Sequence, residues 1–331
     1  MRCLVTSARP YDKQYLSAAN QGRHELVFVE TTLNADTAFI AQGYPAICPF
    51  VDDTLDAKAL EILARSGVKL LVLRSTGFNH VDIPAADKYG IAVMRVRDYS
   101  PFAVAEYAVG LMLTLNRHLH KAYNRVRDGN FLLDGLLGFD MHGKTVGIVG
   151  TGKIGLALAR ILHGMGCHLL GYDTVVNPAC LELGVAYVPL EELLAKSQIV
   201  SLHVPLFPET RHLINAERLA QMPNGAMLIN TSRGPLIDTT ALIAALKSGH
   251  LGAVGLDVYE EEAELYFKDH CDDIICDDSF ERLLTFPNVI VTGHQAFFTR
   301  EALTTIARTT IQNLDDYGEG KDNPNYVHSK K

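Results

Sequence analysis

Long apolar runs are missing from this 331-residue chain. No stretch approaches the roughly 18 apolar residues that cross a bilayer, so no membrane association is expected. A basic stripe is missing as well. The formal charge is −8, and the one basic cluster is Ser329-Lys330-Lys331. With Lys and Arg otherwise scattered, nothing would track a phosphate backbone, and nucleic acid is not an expected partner. The six cysteines (Cys3, Cys48, Cys167, Cys180, Cys271, Cys276) lack paired zinc spacing. Cys271 and Cys276 lie closest, and one pair cannot complete a four-ligand structural site, so no metal is expected. Residues 1–10 carry a short apolar run without the long hydrophobic region of a signal peptide. The expected compartment is the cytoplasm.

What is present is enough apolar material for two cores. The apolar fraction is 48% and the charged fraction 21%, and the length favours two domains. In the first hundred residues, short apolar runs at 3–7, 25–29, 46–50, 69–73 and 91–96 alternate with helix-like segments, among them 57–66 and 83–89. That alternation predicts a parallel sheet with helices on both faces. Ser100-Pro101 reads as a helix start. The apolar segment that follows, 102–123, suits one long buried helix at a domain or subunit interface.

A second unit begins near Lys144, with strands expected at 145–149, 168–172, 185–188, 198–202, 226–230, 253–257 and 288–292. Helices are expected between most of them, including 156–162, 190–196 and 240–248. Seven strands at this rhythm fit a doubly wound dinucleotide-binding sheet. Residues 301–317 place Leu303, Ile306, Ala307, Ile311 and Leu314 at helical spacing, and this helix is expected to return to the first domain, leaving a cleft between the halves. Residues 318–331 read as a polar tail.

Four strands of the second half end in residues able to do chemistry: His203, Thr231-Ser232-Arg233-Gly234, Asp257 and Gly293-His294. Open parallel sheets bind ligands beyond the carboxyl ends of their strands. Gly150-Thr151-Gly152-Lys153-Ile154-Gly155 follows the strand 145–149 and precedes a helix. Its glycines suit a tight turn, close approach of backbone to pyrophosphate, and close helix–strand packing. Asp173 ends the next strand, where a carboxylate would accept from the adenine ribose hydroxyls. No Arg follows in Thr174-Val175-Val176, so NAD is expected rather than NADP. Arg233 is the best cation for a substrate carboxylate, since guanidinium binds it bidentately. His294 is the candidate proton donor. A carboxylate among Glu260, Glu261 and Glu262 would hold its imidazole and favour the protonated form. Spacing does not separate the three, and two are expected as solvated surface charges. Asp257 is expected against the ribose or the Arg. His203 is read as a loop cap, and Val204-Pro205 as a wall of the cofactor site.

The runs GTGKIG, HVPL, NTSRG, GLDVYEEE and GHQAF, in that order, resemble the D-isomer-specific 2-hydroxyacid dehydrogenases. The likeness extends to LRSTGFNHVD, RDYSPFAVAE, TLNRHLHKAYNRVRDGNF and EALTTIARTT, and within the family it points to the bacterial fermentative D-lactate dehydrogenases. The resemblance implies an α/β fold of two doubly wound parallel-sheet domains. A flavodoxin-like substrate domain would comprise 1–100 and 298–331, and a Rossmann NAD-binding domain 101–297. It implies that Arg233 binds substrate, that Glu262 partners the histidine, and that His294 transfers the proton. Thr76, Gly77 and Tyr99 would help hold the substrate carboxylate, and Phe297 would shape the pocket. For NAD it points to Gly150, Gly152, Lys153, Ile154, Gly155, Asp173, Val204, Pro205, Thr210, Thr231, Ser232 and Asp257. The implied reaction is reversible reduction of pyruvate to D-lactate by NADH in a homodimer or homotetramer. Two alternatives stand beside it: a reductase of hydroxypyruvate or another 2-keto acid, and an NADH-sensing binding protein like the related corepressors.

Overall fold

The computed structural model describes residues 1–329, the side chain of Glu264 excepted. The chain divides into two compact units, one of Met1–Ser100 with the residues from Phe298 onward, the other of Pro101–Phe297. The first opens with β1 (Arg2–Val5), α1 (Pro10–Asn20), β2 (Glu25–Phe28), β3 (Ala46–Cys48), α2 (Ala57–Arg65), β4 (Leu70–Val72), α3 (Ile83–Tyr89) and β5 (Ala92–Met94). The second holds α4 (Pro101–Asn116), α5 (Leu119–Arg127), β6 (Thr145–Val149), α6 (Lys153–Gly164), β7 (His168–Tyr172), α7 (Pro178–Glu182) and β8 (Ala186–Tyr187). It continues with α8 (Leu190–Lys196), β9 (Ile199–Leu202), α9 (Ala216–Gln221), β10 (Ala226–Asn230), α10 (Thr239–Lys247), β11 (Leu251–Leu256), α11 (Asp278–Thr285) and β12 (Val289–Val291). Then α12 (Arg300–Gly318) and β13 (Tyr326–Val327) complete the first unit.

In the second unit the sheet runs β12-β11-β10-β9-β6-β7-β8, parallel throughout. This is the doubly wound dinucleotide order, and chain direction across the sheet reverses between β6 and β9. Strands β9 and β10 are buried along their whole length, as expected of parallel strands covered on both faces. The segment expected as one long helix is two. His118 takes a left-handed backbone (φ 50°) and separates α4 from α5. Helix α4 packs on α6 and against β10 and β11, and most of its apolar residues are buried, while Phe102 is 43% exposed. No helix among the described residues is long and apolar enough to cross a membrane.

In the first unit the sheet order is β13-β5-β4-β3-β1-β2, all parallel except β13, which runs antiparallel to β5. Without β13 this is the flavodoxin-like order. Helices α2 and α3 begin where Asp56 and Asp82 accept from the amides of Ala59 and Ala85, which satisfies donors the first turn leaves free. The segment read as a polar tail supplies an edge strand instead, with Val327 buried in the core. Two strand residues are too few to show an alternation. Residues 330 and 331 lie outside the described residues. Helix α12 packs on α1, and its Ala307, Ile311 and Leu314 join Cys3 and Val5 in one core.

A buried guanidinium ties the strand ends of this unit together. Arg74 is 3% exposed, just past β4. Its Nε donates to Asp12 Oδ1 at 3.1 Å, Nη1 to the carbonyl of Cys48 at 2.9 Å, and Nη2 to the carbonyls of Thr6 and Ser7 at 2.9 and 3.0 Å. It also lies 4.6 Å over the Phe50 ring. Burial alone would lower its pKa, but Asp12 and its other neighbours raise it above the usual value. Arg74→Met would strand the Asp12 carboxylate in the core, and breaking such a buried pair costs about 3–5 kcal/mol. An unfolding free energy from urea denaturation lowered by that amount is the expected result; a parent-like value would show that the pair does not hold the unit.

Candidate active site

The carboxyl edge of the second sheet presents the expected groups as a row. Reading along the strands, β12 is followed by His294, β11 by Asp257, β10 by Thr231–Arg233, β9 by His203, β6 by Gly150 and β7 by Asp173. Asn230, Leu256 and Val291 are in register on β10, β11 and β12. Only β11 separates the Arg233 turn from the His294 turn, so their strands lie about 10 Å apart at the usual strand spacing.

The glycine loop is shaped by what surrounds it. Gly150 has φ +97°, and a Cβ there would lie 2.6 Å from the His203 carbonyl carbon. A Cβ on Gly155 would lie 2.0 Å from the Gly150 oxygen, so helix α6 is drawn tightly onto β6. Gly152 caps α6 without a side-chain bond, and a Cβ on it would meet nothing within 4 Å. Lys153 and Ile154 lie in the first turn of α6, at its N-terminal amides. That is the geometry that receives a pyrophosphate. Across the loop, Thr231 Oγ1 is buried without a hydrogen-bond partner among the described residues, and Ser232 Oγ donates to the Val204 carbonyl at 2.6 Å. Thr210 Oγ1 donates to the Pro205 carbonyl at 2.8 Å and bends that segment. These residues fit a dinucleotide.

Arg233 follows β10 in a turn held by Asn230, whose side chain donates to the Arg233 carbonyl at 2.8 Å and accepts from the Ser232 amide at 3.0 Å. Gly234 comes so close to the next loop that a Cβ would sit 1.9 Å from the Tyr259 oxygen. The guanidinium donates to the Ser232 carbonyl at 2.6 Å. No carboxylate pairs with it among the described residues, which leaves its fork open to an anion.

His294 Nδ1 meets Glu262 Oε1 at 3.0 Å, and Glu262 Oε2 accepts from the Tyr259 amide at 3.0 Å. Nε2 is then the nitrogen left to face a ligand. The backbone at His294 is left-handed (φ 52°), and Asp257 accounts for it. Its carboxylate is fully buried and accepts from Thr292 Oγ1 at 2.6 Å, Gln295 N at 2.9 Å and Ala296 N at 2.8 Å. Burial raises its pKa, against those three donors. Asp257, expected beside the ribose or the arginine, is seen holding the histidine turn. Phe297 is half-buried at the end of the same segment.

The three glutamates separate cleanly. Glu261 is exposed, as expected of a surface charge. Glu260, however, is not a solvated surface charge. It accepts from His212 Nε2 at 2.6 Å, Arg211 at 3.1 Å and the Thr239 amide at 3.2 Å. Burial tends to raise its pKa, but the bonds from His212 and Thr239 outweigh it and lower the value. The loop curls between residues 258 and 262, so neighbours in sequence face different partners, a separation that spacing does not carry.

In the first unit, Thr76 and Gly77 follow β4. The Thr76 carbonyl accepts from Arg95 at 2.9 Å and the Gly77 carbonyl from Ser75 Oγ at 2.7 Å. Their own amides have no acceptor among the described residues, which suits an anion. Tyr99 is half-buried past β5. Sequence reasoning did not find Asn177 or Tyr187, which reach the glycine loop from α7 and β8. Neither belongs to a motif.

The model of the D-isomer specific 2-hydroxyacid dehydrogenase NAD-binding domain matches residues 109–296. D-lactate dehydrogenase of Escherichia coli (strain K12) is 51% identical over 326 residues, covering 98% of this chain and 99% of the relative. Among solved structures, the pyruvate reductase of Chlamydomonas reinhardtii matches with a TM-score of 0.93 at 49% identity, covering 98% of both chains. D-lactate dehydrogenase from Aquifex aeolicus, solved with NAD and lactic acid, matches with a TM-score of 0.89 at 33% identity, covering 99% of this chain and 100% of that one.

His203, expected as a loop cap, has its ring against Ser201 Oγ at 2.8 Å, and burial holds its pKa down to about 4. The unfolded imidazole titrates near 6.5. Between these values the unfolded chain takes up a proton that the folded chain refuses, so stability falls as pH drops from about 6.5 towards 4. Above that window His203 has no effect of this kind. In urea denaturation at stepped pH, His203→Gln should lose part of the acid slope and match the parent's slope above pH 7. Equal slopes throughout would contradict this.

Proposed function

The chain belongs to the D-isomer-specific 2-hydroxyacid dehydrogenase family, and we propose that it reduces pyruvate reversibly to D-lactate. The family makes it an NAD-dependent oxidoreductase, and the Glu262–His294 contact at 3.0 Å carries the reading of its chemistry. Gly150, Gly152, Lys153, Ile154, Gly155, Asp173, Val204, Pro205, Thr210, Thr231 and Ser232 would hold the dinucleotide. When bound, NADH supplies the hydride for the carbonyl carbon.

The chain's own residues do the rest. Arg233 offers a bidentate fork to the substrate carboxylate and polarises the neighbouring carbonyl. The amides of Thr76 and Gly77, with Tyr99, would offer donors to a substrate carboxylate, and Phe297 an apolar wall. With Nδ1 fixed by Glu262, protonated His294 holds its second proton at Nε2 and delivers it to the carbonyl oxygen. The carboxylate also steadies the imidazolium before transfer. On this reading the first unit is the substrate domain, and Pro101–Phe297 holds the cofactor and also supplies Arg233, Glu262 and His294 to the reaction. The relatives named for D-lactate and pyruvate support the choice of substrate.

The purified chain should oxidise NADH fastest with pyruvate among several 2-keto acids, and chiral analysis should return the D-product. His294→Ala should lower turnover about 10²–10⁴-fold while NADH binding, read by fluorescence, persists. Turnover at the parent rate would remove His294 from the reaction. Binding of NADH by the parent without turnover would favour a sensor.

We place the enzyme in the cytoplasm, where its six free thiols stay reduced, and read it as a homo-oligomer. The apolar surface we favour for assembly is the segment after α5, where Phe131, Leu132, Leu133 and Leu137 are 66–90% exposed. Contiguous exposed apolar surface of this kind marks an interface. Leu133→Lys with Leu137→Lys should reduce the mass measured by light scattering to that of smaller species. An unchanged mass would remove this segment from the interface.

A further inference from the structure

The loop that carries Asp173 is fastened to the glycine loop chiefly at Thr151, beside the bond from the Gly150 amide to the Tyr172 carbonyl at 2.8 Å. Thr151 N donates to Asp173 Oδ2 at 2.7 Å, and Thr151 Oγ1 lies 3.3 Å from the same oxygen. On the other side, Asn177 Nδ2 donates to the Thr151 carbonyl at 2.8 Å. Tyr187, from β8, donates its hydroxyl proton to Thr151 Oγ1 at 2.7 Å and accepts from the Asn177 amide at 3.0 Å. Thr151 is 1% exposed, so these bonds are its whole surroundings rather than an exchange with water. Gly171 packs closely beside this network, since a Cβ there would lie 2.8 Å from Val185 Cγ1 and 3.3 Å from the Thr151 methyl.

The donors form one directed chain. The Asn177 amide gives to the Tyr187 oxygen, the Tyr187 hydroxyl to the Thr151 oxygen, and the Thr151 hydroxyl is thereby turned towards Asp173. A threonine hydroxyl has one proton. Because Tyr187 supplies the bond that Thr151 Oγ1 accepts, that proton is directed to the carboxylate. Asp173 Oδ2 is then engaged by two donors from one residue. Oδ1 has only distant contacts, Thr174 Oγ1 and Val175 N, both at 3.4 Å. One oxygen is anchored and the other is offered.

We propose that Tyr187, acting through Thr151, is a positioning residue for cofactor choice: it fixes which oxygen of Asp173 faces the adenine ribose. The inference rests on the assignment of Asp173 to that ribose. An anchored carboxylate accepts from the two ribose hydroxyls of NAD. It cannot swing away from the 2′-phosphate of NADP, and Thr174, Val175 and Val176 bring no compensating cation. A carboxylate free to rotate would do both tasks less well.

Steady-state kinetics with NADH and NADPH at saturating pyruvate test this. In Tyr187→Phe the KM for NADH should rise about fivefold to tenfold, the loss of one ordinary hydrogen bond. The kcat with NADH should hold, and the NADH/NADPH ratio of kcat/KM should narrow by a similar factor. Thr151→Val should shift both quantities in the same direction and further, whereas Thr151→Ser, which keeps the hydroxyl, should retain the parent ratio. Asp173→Ala is measured alongside. If it loses the preference while Tyr187→Phe and Thr151→Val keep it, the positioning role is overturned and the ribose assignment stands. If Asp173→Ala itself keeps the preference, the ribose assignment fails and takes this inference with it. A lowered melting temperature in Tyr187→Phe with KM and ratio unchanged would show a structural role only, and also overturns the proposal.

Discussion

A carboxylate removed from water has to be met by donors, and at Asp257 those donors are the turn that carries His294. The hydroxyl of Thr292 and the amides of Gln295 and Ala296 converge on it, and the His294 amide bonds to the Asp257 carbonyl at 2.8 Å. An unmet buried charge would cost several kcal/mol, so the turn has little freedom to open. The left-handed backbone at His294 follows from this clamp, and so does the line from Nδ1 to Glu262. The proposed proton donor is aimed by a residue that need not touch substrate.

The same loop is held from its other side. Glu260 binds His212, Arg211 and the start of α10, while the Tyr259 backbone presses on Gly234. Because Gly234 follows Arg233 directly, the arginine turn and the glutamate loop share one contact surface. A bulkier residue at 234 would push apart the cation proposed for the carboxylate and the acid proposed for the imidazole. Rigid first contacts supported by a second layer of bonds are what a preorganised site requires.

Much of this was legible in the residues alone, and the reasons are physical. Strands at 145–149, 168–172 and 226–230 and the helix at 190–196 have the observed bounds, because buried parallel strands read as continuous apolar runs. The glycine loop was legible because strand, turn and helix follow in sequence. Other features depend on contacts far apart in the chain. Helix α1 escaped notice because it buries Asp12 and Asn20 along with Leu16, polar residues whose partners a local pattern does not show. Glu260 and Glu262 differ only through the curl of their loop. Asp257 looked like a ligand contact because it ends a strand, and its burial became apparent only with the turn folded over it. Tyr187 gave no sign at all, since its partner is 36 residues away.

The unit built from both ends of the chain has a consequence for how the protein is made. Ala307, Ile311 and Leu314 belong to the same core as Cys3 and Val5, and β5 gains its outer neighbour only from Tyr326–Val327. About 200 residues must leave the ribosome between those parts, which at roughly 5–20 residues per second takes on the order of 10–40 s. Throughout that interval the nascent β1 has one apolar face covered only in part, by α1, and by its end the intervening unit has every strand of its own sheet.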